Sequence, residues 1–454
     1  MKIHFISIGG SVMHQLAISL HRKGYVVTGT DDEIFEPSKS NLAKEGLLPS
    51  KTGWNTDMIT ADLDAVILGM HAKNGNPEIE KAISLGLPIY SFPEYIYQES
   101  KNKIRVAVGG SHGKTTTTSM IMHVLKYAQK KFDYLVGARL DGFDQSVNIT
   151  DAPVIICEAD EYPASAIEKR PKFHFLFPQV AILTGIAWDH INVFPTFEIY
   201  LEQFKIFIHT IETGGLLIYN ETDEVLNKLI LNNFREDIRY QPYAVPLHQI
   251  DNGKTSISID GAEGILQVFG NHNLLNLHAA WYVCQYLQID PITFVKAICT
   301  FTGASKRLEK SGENEQTIIF RDFAHAPSKV KATIEALDSQ FPDRRLIAVL
   351  ELHTFSSLNK EFMTEYDGSL EAADNAVVFY SNHALQQKGM PELKKEMVFD
   401  GFNKKDLSVV SNKEDLQKWL EQQNYKKANL VLMSSGNFDG LDVNKLSEKI
   451  ISQL

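Results

Sequence analysis

Long apolar runs are missing from this 454-residue chain. Its apolar runs, such as Val106-Ala107-Val108 and Ala181-Ile182-Leu183, are strand-sized, whereas a membrane-spanning helix needs about 20 apolar residues. The N-terminal Met1-Lys2-Ile3-His4-Phe5-Ile6-Ser7-Ile8 runs into glycines without a signal-peptide cleavage pattern. Cysteine is scarce: Cys157, Cys284 and Cys299 are isolated and lack metal spacing, as expected of buried thiols in a reducing cytoplasm. Positive charge is also in deficit. The formal net charge of -11 opposes generic binding to nucleic acid or an anionic membrane. No internal repeat or low-complexity linker is visible. What remains, 44% hydrophobic and 22% charged residues, is the mix of a globular enzyme too long for one ordinary core.

Three α/β blocks follow one another. In the first, Ile3 to Ile8 reads as a strand, Gly9-Gly10-Ser11 as a turn, Val12 to Lys23 as a helix closed by Gly24, and Tyr25 to Gly29 as a second strand. That is a βαβ unit. In the second, Ile104 to Val108 enters a glycine loop, a helix follows from Thr115 to Tyr127, and Val154 to Cys157 and Val180 to Leu183 are further strands. Thr255 to Phe269 alternates as a hairpin, and Gly270 to Gln285 reads as a helix. In the third, Thr317 to Arg321, Arg345 to Leu350, Asn375 to Phe379 and Asn429 to Met433 are strands of another mostly parallel sheet.

The strongest motif is Gly109-Gly110-Ser111-His112-Gly113-Lys114-Thr115-Thr116-Thr117-Thr118, between a strand and a helix. Its glycines let backbone N–H groups face phosphate oxygens, and the helix N-terminus favours the same charge. Lys114 is expected to reach the β and γ phosphates and Thr115 to face Mg²⁺. Gly9-Gly10 is only half a dinucleotide fingerprint; it fits a nucleotide or nucleotide-sugar pyrophosphate over Gly9, Gly10 and Ser11, with Asp31 or Asp32 accepting from a ribose hydroxyl. Bound NAD, and with it a nicotinamide-dependent oxidoreductase, is the rival of a different class; a phosphate-loop switch or motor is another.

Two more strands deliver chemistry at their carboxyl ends, where open α/β sheets place sites. Val154 to Cys157 leads to Glu158-Ala159-Asp160-Glu161. Glu158 suits a Mg²⁺ ligand, while Glu161 reads as a solvated turn or helix cap. Val180 to Leu183 leads to Asp189-His190, with His190 placed for a second Mg²⁺ or the reacting phosphoryl group.

Together these segments resemble the Mur ligases of bacterial peptidoglycan synthesis across nearly the full length. The resemblance also takes in Gly270 to Asn276, the Phe301 to Glu309 stretch, and Asp322-Phe323-Ala324-His325-Ala326-Pro327. It implies three domains: a Rossmann-like UDP-sugar domain over 1–102, a central P-loop ATPase-like domain over 103–305, and a Rossmann-like amino acid or peptide domain over 306–454. It implies a cytoplasmic ATP- and Mg²⁺-dependent ligase, monomeric or weakly dimeric, that activates the lactyl carboxylate of UDP-N-acetylmuramate as an acyl phosphate and joins it to an amine. Lys114, Glu158 and His190 take the catalytic roles. Gly110, Ser111, His112, Gly113, Lys114, Thr115, Thr116, His272, Asn273, Arg307 and Asp322 are expected at ATP. Gly9, Gly10, Ser11, Asp31, His71, His325 and His353 are expected at the other substrates. Thr115, Glu158, His190 and, if carbamylated, Lys205 are expected at the metal.

Two branches share this plan, one adding L-alanine and one recycling the tripeptide L-alanyl-γ-D-glutamyl-meso-diaminopimelate. Glu161-Tyr162, Asp322-Phe323-Ala324-His325 and the ending Met433-Ser434-Ser435-Gly436-Asn437-Phe438-Asp439-Gly440 resemble the recycling branch. The chain departs from the family at Gly185, Ala187, Ala326 and His353-Thr354, the last where the alanine-adding branch carries His-Arg.

Overall fold

The computed structural model describes residues 1–137, 140, 142–188, 193–303 and 308–452. It has the expected mixed α/β character with mostly parallel sheets. Cα proximity divides the chain into two compact units. The first comprises Met1–Ile186, Phe197–Ala244 and Leu277–Phe294; the second comprises Ala187–Thr196, Val245–Asn276 and Val295–Leu454. No helix among the described residues is long and apolar enough to cross a membrane.

The first unit carries two sheets. Strands β1 (Lys2–Ile6), β2 (Val26–Thr30), β3 (Ala65–Leu68) and β4 (Ile89–Ser91) form a parallel sheet in the order β2-β1-β3-β4. Seven strands form the second: β5 (Ile104–Gly109), β6 (Asp133–Leu135), β7 (Val147–Asn148), β8 (Val154–Glu158), β9 (Val180–Leu183), β10 (Leu216–Asn220) and β11 (Arg239–Tyr243). Their order is β11-β10-β9-β5-β8-β6-β7. The central strands read as unbroken apolar runs because helices cover both faces of such a sheet. Val106, Ala107, Val108, Ile155, Ile156 and all of β9 are buried. A buried bond from the Ile149 N–H to Ser19 Oγ (2.7 Å) ties the two sheets' layers together.

Register places the chemistry. Val108 pairs with Glu158 and Gly109 with Leu183, all in parallel. The phosphate-loop segment, Glu158 and Thr184 therefore leave the sheet at one edge.

The second unit holds a small antiparallel sheet of β12 (His248–Asp251), β13 (Lys254–Ile259) and β14 (Ala262–Ile265). The alternation over 255–269 predicts a hairpin; the structure adds β12, whose His248-Gln249-Ile250-Asp251 is too exposed to show a buried face. Its larger sheet has β15 (Glu309–Glu313), β16 (Thr317–Asp322), β17 (Arg345–Leu352), β18 (Asn375–Tyr380), β19 (Leu407–Val410) and β20 (Ala428–Met433), ordered β15-β16-β20-β17-β18-β19. Only β15 runs antiparallel. Asp322 pairs with Met433, and Met433 with Leu350, so Asp322, Glu351 and Ser434 also share a carboxyl edge.

Candidate active site

The loop between β5 and the Lys114–Tyr127 helix is shaped by left-handed glycines. Gly110 has φ +124°, and a Cβ there would run into Thr184 Oγ1; Gly113, the helix N-cap, has φ +79°. Only glycine adopts such angles cheaply. The loop is also tied to β9: the Ser111 N–H donates to the Gly185 carbonyl at 2.9 Å, and Thr184 Oγ1 donates to the His112 carbonyl. Gly185, one of the departures from the family pattern, thus supports the loop through its backbone. Thr116 is buried in the first turn of the helix.

Lys114 Nζ donates to the Gly110 carbonyl at 2.7 Å and to Glu161 Oε2 at 2.8 Å. Thr115 Oγ1 donates to Glu158 Oε1 at 2.7 Å, and the Gly137 N–H holds Glu158 Oε2 at 2.8 Å. The structure thus brings Lys114, Thr115 and Glu158 together beside the loop. Burial works against the charged amine of Lys114, but the Glu161, Asp160 and Glu158 carboxylates outweigh it and hold its pKa above the ordinary lysine value.

Glu161 corrects the solvated-turn reading. It is 0% exposed and ion-paired to Lys114. Asp160, its neighbour, pairs with Lys172 at 2.8 Å. Tyr200 was not singled out by sequence: its hydroxyl donates to Glu161 Oε1 at 3.2 Å and lies 2.8 Å from Ser111 Oγ. Its only sequence signal was a polar-tipped aromatic on the buried face of an apolar helix. Lys205, on the same Phe197–Thr210 helix, bonds Glu202 at 3.0 and 3.1 Å. That pair suits the amine as a cation, whereas a carbamate would face Glu202 as a second anion. Asp189, His190 and Arg307 lie outside the described residues.

A second group sits at the β1 edge. The Gly9 N–H donates to Asp31 Oδ2 at 2.7 Å, and a Cβ on Gly9 would lie 2.8 Å from the same oxygen. His71 Nδ1 lies 3.1 Å from Asp31 Oδ1 and 3.0 Å from Asp32 Oδ1. Asp31 is fully buried and tied to the glycine turn, so of the two aspartates Asp32 keeps the more exposed carboxylate. Burial, with Asp32 beside it, raises the Asp31 pKa; burial also opposes a charged His71, but Asp31 and Asp32 outweigh this and raise it. Ser11 is exposed, and Gly10 lends its carbonyl to His14 Nδ1 at 2.9 Å. Asn76 caps the Pro77–Ser84 helix, and buried Glu78 accepts from Thr30 Oγ1 at 2.6 Å, so both have structural duties here.

In the second unit, Asp322 closes β16 and accepts from Thr333 Oγ1. His325 Nδ1 faces the Phe323 carbonyl at 2.8 Å, and the His325 carbonyl accepts from Tyr366. His353 Nδ1 is 3.8 Å from Glu351 Oε1. Glu351, which sequence reading passed over, is 1% exposed and accepts from Ser434 Oγ and the Phe438 N–H. Asn273 Nδ2 donates to the Phe269 carbonyl at 2.9 Å, and His272 lines a cavity with His248, Thr255 and Glu335. Cys157 and Cys284 are buried as expected, and burial pushes the Cys157 thiol up to about 12; Cys299 is half-buried.

Residues 2–103 match the model of the Mur ligase family catalytic domain, 108–284 that of the Mur ligase middle domain, and 306–436 that of the Mur ligase glutamate ligase domain. A UDP-N-acetylmuramate--L-alanine ligase of Clostridium kluyveri is 30% identical over 383 residues, 81% of each chain. This chain belongs to the Mur ligase family. It is therefore an ATP-dependent ligase of peptidoglycan synthesis. The Mur ligase of Escherichia coli named UDP-N-acetylmuramate--L-alanyl-gamma-D-glutamyl-meso-2,6-diaminoheptandioate ligase is 28% identical over 360 residues, covering 77% of this chain and 79% of its own. The crystal structure of the UDP-N-acetylmuramate-alanine ligase of Thermotoga maritima has the same fold, with TM-score 0.66 and 21% identity, covering 100% of this chain and 98% of that one.

Proposed function

We propose that this Mur ligase joins the lactyl carboxylate of UDP-N-acetylmuramate to the amine of L-alanyl-γ-D-glutamyl-meso-diaminopimelate, using ATP. The observation that carries the reaction type is the convergence of Lys114, Thr115 and Glu158 at one sheet edge, with the loop glycines in left-handed geometry. The choice of amine is supported by Glu161-Tyr162, Asp322-Phe323-Ala324-His325 and the Met433 to Gly440 ending.

In this reading Lys114 turns from Glu161 toward the terminal phosphates and carries positive charge to them. The loop N–H groups orient the same oxygens, which is most of what phosphoryl transfer asks of a protein. The sugar-borne carboxylate takes the γ-phosphoryl group, and the resulting acyl phosphate gives the amine a carbonyl with phosphate as leaving group. Asp31 with Gly9 steadies the turn that faces the UDP-sugar.

The hydroxyl of Thr115 and the carboxylate of Glu158 are hard oxygen donors held side by side, a set that fits Mg²⁺. The bound ion would supply charge neutralisation at the phosphate oxygens.

L-Alanine is the second reading, favoured by the alanine-adding relatives at 30% identity. The test is phosphate release with ATP, Mg²⁺ and UDP-N-acetylmuramate, comparing the tripeptide with L-alanine. Higher kcat/KM for the tripeptide supports the proposal; higher kcat/KM for L-alanine replaces it.

A further inference from the structure

Tyr200 is fully buried on the Phe197–Thr210 helix, its ring 5.1 Å from that of Phe204 in an edge-on contact. Packing accounts for the ring, but a phenylalanine would pack as well. The hydroxyl has a different setting: 2.8 Å from Ser111 Oγ and 3.2 Å from Glu161 Oε1.

The direction of these bonds follows from donor counting. An ionised carboxylate only accepts, so the phenol donates to Glu161. Its proton is then spent, and the Ser111 hydroxyl donates to the phenol oxygen. The other oxygen of Glu161 accepts from Lys114 at 2.8 Å. A chain of bonds thus leaves the phosphate loop at Ser111 and returns to it at Lys114.

Lys114 has to slacken its hold on Glu161 before it can serve a nucleotide phosphate. Glu161 is 0% exposed, and a buried carboxylate deprived of its cation is strongly disfavoured. A hydrogen bond donated to a charged acceptor offsets part of that cost. We propose that Tyr200 is a positioning residue for nucleotide use: it steadies Glu161 while Lys114 turns to the phosphates, and it ties Ser111 to the same carboxylate so that loop and lysine respond together. This deepens the phosphate-loop reading of Lys114 and rests on it.

The test is a double-mutant cycle in the full chain, with kcat and KM measured for ATP, UDP-N-acetylmuramate and the amine. Tyr200→Phe keeps the ring and removes the hydroxyl. KM for ATP is expected to rise about tenfold, the worth of one hydrogen bond to a charged group. The other two KM values and kcat stay within about twofold. With Glu161→Gln already in place there is no buried charge to steady, and adding Tyr200→Phe changes KM for ATP by less than about twofold. A general packing role would not produce that selectivity.

An unchanged KM for ATP in Tyr200→Phe overturns the proposal, as does an equal tenfold rise in both backgrounds. Ser111→Ala gives an independent arm that leaves the tyrosine ring untouched. Its expected rise of about threefold in KM for ATP should vanish in the Tyr200→Phe background. A rise of full size there contradicts the coupling. Lys114→Ala separates the two claims: unaltered kcat/KM for ATP in that variant defeats the loop reading itself, whereas a defect there beside a normal Tyr200→Phe defeats only the tyrosine's part.

Discussion

The carboxyl edges of the two large sheets both gather buried carboxylates, but they neutralise them differently. In the seven-stranded sheet, Glu161 is paired with a lysine cation on a glycine-shaped loop. In the six-stranded sheet, Asp322 and Glu351 are held by hydroxyls and a backbone N–H: Thr333 for the first, Ser434 and Phe438 for the second. A cation can be handed to an arriving phosphate. Neutral donors cannot be handed over in that way; they fix the loops that carry them. On the proposed reading the first edge exchanges partners, whereas the second holds the shape of its own loops.

The comparison can be broken most forcefully at Lys114. Lys114→Ala should lower kcat/KM by about a thousandfold, because it removes the charge aimed at the developing phosphoryl transition state. It should also lower the melting temperature, since Glu161 loses its partner. Phosphate-release kinetics and a thermal melt check both. Glu158→Gln comes next, with an expected loss of about a hundredfold in kcat and an increased demand for Mg²⁺ in a metal titration. An unaltered Mg²⁺ requirement would take Glu158 out of the metal site.

At the second edge the effect should fall on stability. Glu351→Gln weakens the bonds from Ser434 and Phe438, at a cost of about 1–3 kcal/mol in denaturant unfolding. Nucleotide KM should hardly move. A loss confined to activity would mean that Glu351 belongs with the exchanging edge after all.

The smallest effect is the pH response of the Asp31–Asp32–His71 group. The folded pKa of His71 is raised above 6.5. The stability contributed by its charge is therefore complete below pH 6.5 and lost as pH rises through the raised value. Burial, with Asp32 beside it, also raises the Asp31 pKa. Melts taken above pH 6.5 should show a shallower decline in His71→Gln than in the parent; parallel curves would show that His71 keeps its ordinary pKa.

Much of this was readable from local pattern. The strand, glycine loop and threonine-led helix at 104–127 carry their own signals, and so do the apolar strands ending in Glu158 and Asp322. Parallel strands between covering helices are continuous apolar runs, which is why the bounds of β9 were read without error. The partners of Glu161 were not readable, because burial of an acidic residue after a strand depends on a lysine and a tyrosine distant in sequence. Glu351 escaped for a related reason: a lone glutamate within Leu346 to Leu352 gives no hint that Ser434 will reach it. Strand β12 was missed because its exposed, polar residues lack a period.

The central claim is that the terminal phosphate of ATP is moved onto the sugar-borne carboxylate before the amine attacks. UDP-N-acetylmuramate labelled with ¹⁸O in its lactyl carboxylate tests this directly, by mass spectrometry of the phosphate released in one round of ligation. The account predicts one carboxylate-derived ¹⁸O atom in each phosphate, since the C–O bond of the acyl phosphate is the one that breaks. Phosphate free of label, formed alongside the amide, would contradict it.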